Sequence, residues 1–341
     1  MTLLEELYQQ PQALRDLIQH QDRDGFSLFD QLGPKPILPV FSGMGASFHA
    51  AWIAALHLRS LGQLALSIEA ADLFYQGSRF LDAARGTLIY VSQSGESGEA
   101  PEVLRGLPEG VDLIAVTNNP GSNLARAARL VFPLYAGEET LIASKTYLNS
   151  LAWLWLIARR WGGAWIGQEL QMLDRVAVQV EALLNRGPAL IDPLLEDLDL
   201  DRGIAFLGHG PYAATAREAA MTLAEWTKLP ALSYSAAAFR HGFIETVQPG
   251  ISVVIFTAPG PGHASALDLA AELDGYGALV HIIQQGSVFR LPGGTQPEEP
   301  VDEFLSPILD ILPIQLLAQR LADDRGIQPG FRFIRKVVRK I

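Results

Sequence analysis

Three hydroxyls and a glycine fall within six residues at Ser92-Gln93-Ser94-Gly95-Glu96-Ser97, directly after the apolar run Thr87–Val91. The run predicts a short buried strand, and a helix can begin at Ser97. The hydroxyls therefore gather where the carboxyl end of a strand meets the amino end of a helix. Serine O–H groups, the unpaired N–H groups of a first helical turn and the helix dipole together suit an anion, phosphate above all. No P-loop lysine follows, so a nucleoside triphosphate is not expected. A serine-capped helix after a polar turn explains the same residues without any ligand, and spacing alone leaves the two readings even.

A second constellation is Glu218, Thr222 and Glu225, at i, i+4 and i+7 on one face of a predicted helix Tyr212–Lys228. Ala219, Ala220, Leu223 and Trp226 supply its apolar side. Two carboxylates at this spacing describe either a solvated face or a pair looking into a cleft, where one could move a proton. The seven histidines are scattered without an H-x-H or H-E-x-x-H pair, and there is no cysteine. Disulfides, thiolate metal sites and cysteine nucleophiles are excluded, and neither a metal nor a cofactor is expected.

These residues need a scaffold. Pro36–Phe41, Thr87–Val91, Asp112–Val116 and Leu130–Leu134 read as short buried strands, with helices at Ser47–Leu61, Gly98–Gly106, Asn123–Ala128 and Thr146–Trp161. The second half repeats the rhythm with strands Ile204–Leu207, Ser252–Phe256 and Val280–Ile283 and helices Tyr212–Lys228, Ala264–Tyr276 and Pro307–Ala322. Between the halves, Gln168–Leu184 reads as a helix and Arg186–Leu200 as a connection. Alternating strands and helices predict an α/β fold, a mostly parallel sheet with helices on both faces in each half. Sliding Phe41–Leu64 onto Phe206–Leu229 gives eight identities in 24 positions. Beyond one inserted residue the match continues, residues 65–74 against 231–239. Two related domains in tandem follow: 1–35 as a helical opening, 36–165, a connecting 166–200, 201–322, and a tail 323–341. The tryptophans Trp153, Trp155, Trp161 and Trp165, on or just after an apolar helix, read as core or subunit interface.

The 341 residues carry 26 basic against 37 acidic side chains, a net charge of −11, which argues against a nucleic-acid surface. The acidic, amphipathic start is not a signal peptide, and the longest apolar stretch, Leu151–Ala158, is far too short for a membrane span. A cytoplasmic protein without a membrane partner is expected. Both halves carry G-x-G after a strand, at Gly43-Met44-Gly45 and Gly208-His209-Gly210. A dinucleotide fold would also use such turns, but Phe48 stands where a third small residue belongs, and no acid follows the second pair at the right distance.

The serine loop resembles the phosphate loop S-x-S-G-x-[ST] of the SIS (sugar isomerase) domain. The surrounding order resembles the two-SIS-domain family that includes the isomerase half of glucosamine-6-phosphate synthase and stand-alone amino-sugar-phosphate deaminases and deglycases. Glu5-Glu6-Leu7-Tyr8-Gln9-Gln10-Pro11 is similar to the family's opening helix, and Gly45-Ala46-Ser47 to its G-[TS]-S. Asn118-Asn119-Pro120-Gly121-Ser122 matches an N-x-P-x-S turn, and Glu138–Tyr147 resembles the segment containing V-A-[ST]. Ala237–Gly242 resembles the segment ending K/R-H-G, and Gln328–Val337 the closing tail.

The resemblance implies tandem SIS domains and a phosphorylated sugar as substrate. Gly45, Ala46, Ser47, Ser92, Gln93, Ser94, Ser97, Ala143, Ser144 and Lys145 would bind substrate and phosphate. Glu225 would be the base that shuttles a proton between C1 and C2, with Glu218 two turns earlier. His241, taken from the neighbouring subunit of a homodimer with shared active sites, would assist ring opening, and Lys336 would close over the open-chain sugar. Thr222 stands where amino-transferring and deaminating members have a lysine, and a hydroxyl forms no Schiff base. No glutaminase part precedes the isomerase segments, so glutamine is not expected as a nitrogen source. The implied function is a phosphosugar isomerase, or a deaminase or deglycase, acting on a hexose 6-phosphate or its amino derivative. A non-catalytic sugar-phosphate-binding regulator on the same fold is the alternative.

Overall fold

The computed structural model describes residues 2–23, 28–199, 202–291, 300–327, 330–333 and 337–338. The chain divides into two compact units: Gln9–Ala177 with the described residues beyond Gly330, and Thr2–Tyr8 with Val178–Gly330. Helix α1 (Leu3–Tyr8) belongs to the second unit, whereas α2 (Gln10–Arg23) and α3 (Leu28–Leu32) belong to the first.

The first unit is built on β1 (Leu38–Gly43), α4 (Ala46–Ser60), β2 (Leu66–Glu69), α5 (Ala70–Gln76), α6 (Arg79–Ala83), β3 (Gly86–Val91), α7 (Glu99–Gly106), β4 (Asp112–Thr117), α8 (Asn123–Ala127), β5 (Leu130–Pro133) and α9 (Lys145–Trp161). Its five strands are all parallel, in the order β2-β1-β3-β4-β5. Side chains alternate across each strand, so every strand feeds two cores. Leu38, Val40, Leu88, Tyr90, Leu113 and Ala115 meet α5 to α8 through Ala70, Leu73, Leu81, Ala100, Val103 and Leu124. On the opposite face Phe41 meets Trp161 edge-on, and Phe132 packs on Trp153 at 4.9 Å between ring centroids. Trp153 and Trp155 of α9 are fully buried, Trp161 nearly so, and Trp153 donates its indole N–H to the Pro133 carbonyl at 2.7 Å. Trp165, just beyond the helix, is exposed.

Helix α10 (Ile166–Asn185) contains the boundary between the units. The second unit continues with α11 (Asp192–Asp197), β6 (Ile204–Gly208), α12 (Pro211–Thr227), β7 (Leu232–Ser235), α13 (Ala236–Arg240), β8 (Ser252–Phe256), α14 (His263–Gly275), β9 (Leu279–Gln284), β10 (Ser287–Arg290), α15 (Pro307–Asp310) and α16 (Leu312–Asp324). The sheet order is β10-β9-β8-β6-β7, which retraces the first sheet from β7 inward. The departure is at the far edge, where β10 returns antiparallel as a hairpin from β9. Residues of α13 and α14 close one face of the sheet, while α12 lies on β6 and β7 and packs against α16.

The expected strands all form, with ends shifted by up to two residues. Three further strands were not expected: β2, β7 and β10. All lie at sheet edges and their residues are half-buried or exposed, so they lack the continuous apolar run of a central strand. The segment 186–200, read as a connection, contains α11, which starts with Pro193 in its first turn. The expected helix Pro307–Ala322 is broken at Ile311, two residues before Pro313, whose missing N–H and ring disfavour an uninterrupted helix. No helix among the described residues is long and apolar enough to cross a membrane.

Candidate functional site

In the first sheet β1 sends α4 back toward β2, whereas β3 sends α7 onward to β4, with α4 and α7 on opposite faces. The turns after β1 and β3 therefore part at a topological switch point, where open α/β sheets form ligand crevices. One turn is Gly43-Met44-Gly45-Ala46-Ser47, opening the 15-residue α4; the other is the serine loop. They lie against each other, since a Cβ on Gly43 would be 2.8 Å from the Val91 carbonyl oxygen and 2.9 Å from the Ser47 Cβ.

The loop is rigidly held. Ser92 donates its N–H to the Val116 carbonyl at 3.0 Å, and its Oγ accepts the Gly95 N–H at 3.1 Å. The Ser94 Oγ accepts from the Glu96 N–H at 3.1 Å, and the Gln93 carbonyl accepts from the Asn118 N–H at 3.0 Å. The Glu96 carboxylate takes both the backbone and the side-chain N–H of Asn123, each at 2.7 Å. Gly95 has φ +64°, and a Cβ there would sit 2.1 Å from the Ser122 Oγ. Ser122 in turn caps α8, accepting from Ala125 N–H at 3.2 Å. Gln93, Ser94 and Ser97 are half-buried and Ser92 is buried. At the start of α7 the Gly98 N–H donates to the Val338 carbonyl of the tail at 2.8 Å.

Beneath the loop lies Tyr90 of β3, 1% exposed. Burial pushes its hydroxyl up to about 12 against the opposing pull of Ser97, with a lesser push from the Glu99 carboxylate, so it stays a neutral donor.

The segment after β5 joins the same edge. Asn118 accepts the Ala136 N–H at 3.1 Å and donates to the Gly137 carbonyl at 2.8 Å. The buried Glu139 carboxylate takes four donors: N–H and Oγ–H of Ser144 at 2.9 and 3.1 Å, and N–H and Oγ1–H of Thr146 at 3.2 and 2.6 Å. Lys145 is 2% exposed; its ammonium donates to Gln9 Oε1 at 2.7 Å and the Glu138 carbonyl at 2.6 Å. The side chains of Ser144 and Lys145 are thus engaged within the first unit, while Ala143 is half-buried.

The remaining candidates belong to the second unit. Glu218 and Thr222 of α12 are 1% and 3% exposed, and Glu225 is half-buried near the end of that helix. Lys228, in the left-handed conformation at φ +61°, caps α12 and donates its ammonium to the carbonyls of Glu225 and Gly330. His241 is exposed and follows α13. Lys336 lies outside the described residues. The second sheet has its own switch point between β6 and β8, but its loop there is Thr257-Ala258-Pro259-Gly260-Pro261-Gly262. Two prolines remove N–H donors, and the Glu303 carboxylate faces Gly260. Unlike the loop after β3, this loop carries no serine.

The reading from sequence gave no roles to Glu139, Tyr90 or Glu96. Glu139 is foreshadowed only by an acid standing shortly before a hydroxyl-bearing helix start, and Tyr90 by a polar tip in an otherwise apolar strand.

Two half-matching units, each a mostly parallel sheet with a switch point, define a tandem α/β protein, and the SIS domain model matches residues 40–160 and 201–283. The chain belongs to the SIS domain family. The dinucleotide reading falls with that finding. It is 28% identical over 346 residues to the isomerizing glutamine–fructose-6-phosphate aminotransferase of Methanothermobacter thermautotrophicus, covering 96% of this chain and 55% of that protein. The chain spans about half the length of the curated relatives it matches. Its fold is similar to the C-terminal domain of glucosamine-fructose-6-phosphate aminotransferase from Francisella tularensis, with TM-score 0.81 at 21% identity over 97% of this chain and 98% of that one. It is also similar to tagatose-6-phosphate ketose/aldose isomerase from Escherichia coli, with TM-score 0.78 at 23% identity over 98% and 96%.

Proposed function

We propose that the protein is a phosphosugar isomerase, or a deaminase or deglycase, acting in the cytoplasm on a hexose 6-phosphate or its amino derivative. The observation that carries this reading is the serine loop at the switch point of the first unit. Ser92, Ser94 and Ser97 and the start of α7 offer a phosphoryl group hydroxyl and backbone donors on a rigid turn. With the phosphate anchored, isomerisation needs a base that takes a proton from one carbon and returns it to its neighbour. Glu225 is assigned that role by its match to the family pattern, and a carboxylate is a group that can accept and return the proton. His241 would assist ring opening and Lys336 would face the open-chain sugar. The exposure of His241 suits a residue supplied to a partner subunit in a homodimer.

Thr222 favours isomerisation or cleavage of an amine adduct over release of ammonia, because no amine stands there to form an imine. Binding without turnover is the second reading, favoured by the internal engagement of Ser144 and Lys145. A panel of hexose and hexosamine 6-phosphates, followed by product and ammonia detection, tests both. Interconversion of an aldose and a ketose phosphate, or cleavage of an amino-sugar phosphate, is expected. Tight binding of a sugar phosphate with no product from any substrate overturns the enzyme reading.

A further inference from the structure

Tyr90 is the only residue of β3 with a polar group at the tip of a large side chain, and it points into the apolar layer between the sheet and α7. Its ring packs in the cluster that includes Ala100 and Val103 on that helix. Its hydroxyl is sealed from solvent and makes no hydrogen bond of normal geometry, and Ser97, then Glu99, are the polar groups that act on it. A buried O–H without a partner costs stability and is uncommon in a well-packed layer. A phenylalanine would fill the same space without that cost. Ser97 is the third hydroxyl of the loop and half-buried, so it can turn between the tyrosine below and the crevice above.

We propose that Tyr90 is a positioning residue of the serine loop: its hydroxyl donates to Ser97 Oγ when Ser97 turns its own O–H onto a bound phosphoryl group. The donor chain then runs Tyr90 to Ser97 to phosphate, each O–H polarising the next. The inference rests on the reading of the loop as a phosphate anchor. Without ligand the tyrosine hydroxyl lacks a well-formed hydrogen bond. With ligand, the tyrosine selects the one Ser97 rotamer that serves the anion. Glu99 is the competing acceptor for the same hydroxyl.

The test is a double-mutant cycle on the full chain, read as the dissociation constant for inorganic phosphate by titration calorimetry, with thermal unfolding as the check on folding. Tyr90→Phe keeps the ring and should weaken phosphate binding about five- to tenfold, the effect of one hydrogen bond. In the Ser97→Ala background Tyr90→Phe should change nothing further. Ser92→Ala serves as the independent probe of the loop. Loss of binding in Ser92→Ala with unaltered affinity in Tyr90→Phe overturns the inference and leaves the anchor standing. An equal loss from Tyr90→Phe in both backgrounds also overturns it, since the tyrosine would then act through packing or Glu99. A wild-type chain with no affinity for phosphate overturns the anchor and this inference together.

Discussion

Gly95 and Ser122 meet across two loops with no room for a single added carbon: a Cβ on Gly95 would lie 2.1 Å from the Ser122 Oγ and 2.5 Å from its Cβ. The turn after β4 is the wall against which the serine loop is moulded. Gly95→Ala therefore combines a left-handed backbone with a steric clash, and should cost about 2–4 kcal/mol. Urea unfolding measures the loss, and phosphate affinity should fall with it. Adding Ser122→Gly relieves the clash but leaves the backbone strain, so recovery should be partial.

Glu139 is the corresponding fastener for the segment before α9. Glu139→Gln replaces one acceptor oxygen by a donor and sets it against the hydroxyls and N–H groups of Ser144 and Thr146. A loss of about 2–4 kcal/mol in unfolding free energy is expected. A variant as stable as the wild type would show that the four bonds are dispensable.

Glu225→Gln keeps shape and hydrogen bonding but cannot accept a proton. If Glu225 is the base, kcat should fall by about 10²–10⁴-fold with little change in KM. Thr222→Lys should raise ammonia release from glucosamine 6-phosphate relative to the wild type. Vigorous ammonia release by the wild type would show that the lysine is not needed.

Asp310, fully buried at the end of α15, accepts from the Gly286 N–H at 2.9 Å and the Ser306 hydroxyl at 2.6 Å. Burial pushes its carboxyl up to about 7, against the pull of those donors. Between the ordinary carboxylate range and 7 the folded chain keeps a proton that the unfolded chain has released. Its contribution is thus fully present at low pH and is lost as pH rises, by about 4 kcal/mol at pH 7. Unfolding measured at pH 5 and pH 8 should show the larger part of this fall, about 2–3 kcal/mol, in the wild type and a flatter profile in Asp310→Asn.

The central strands and the serine loop were legible because each is local. A buried parallel strand is a continuous apolar run, and three hydroxyls around a glycine form one short word. The edge strands β2, β7 and β10 were not legible, because half-exposed residues lose the apolar signature while keeping the hydrogen-bond ladder. The tandem repeat did hold a clue: residues 65–74 and 231–239 match, and they contain β2 with most of α5 and β7 with most of α13. Gln9 and Lys145 illustrate what stays hidden, since their bond spans 136 positions. No spacing rule reaches that far. Tyr90 is hidden differently: its role depends on what lies above one end of its side chain, and β3 reads the same whichever residue carries the hydroxyl.

The two prolines of Thr257–Gly262 bear on stoichiometry. A chain made of two like halves invites the expectation of two equivalent ligands, one for each sheet. Yet the second loop lacks N–H donors at its two prolines and faces a carboxylate. If the serine loop is the phosphate anchor, saturation should therefore stop at one phosphoryl group per chain. The second half is then free of the geometric demands of anion binding, and substitutions in its loop should be tolerated that the first loop would not survive.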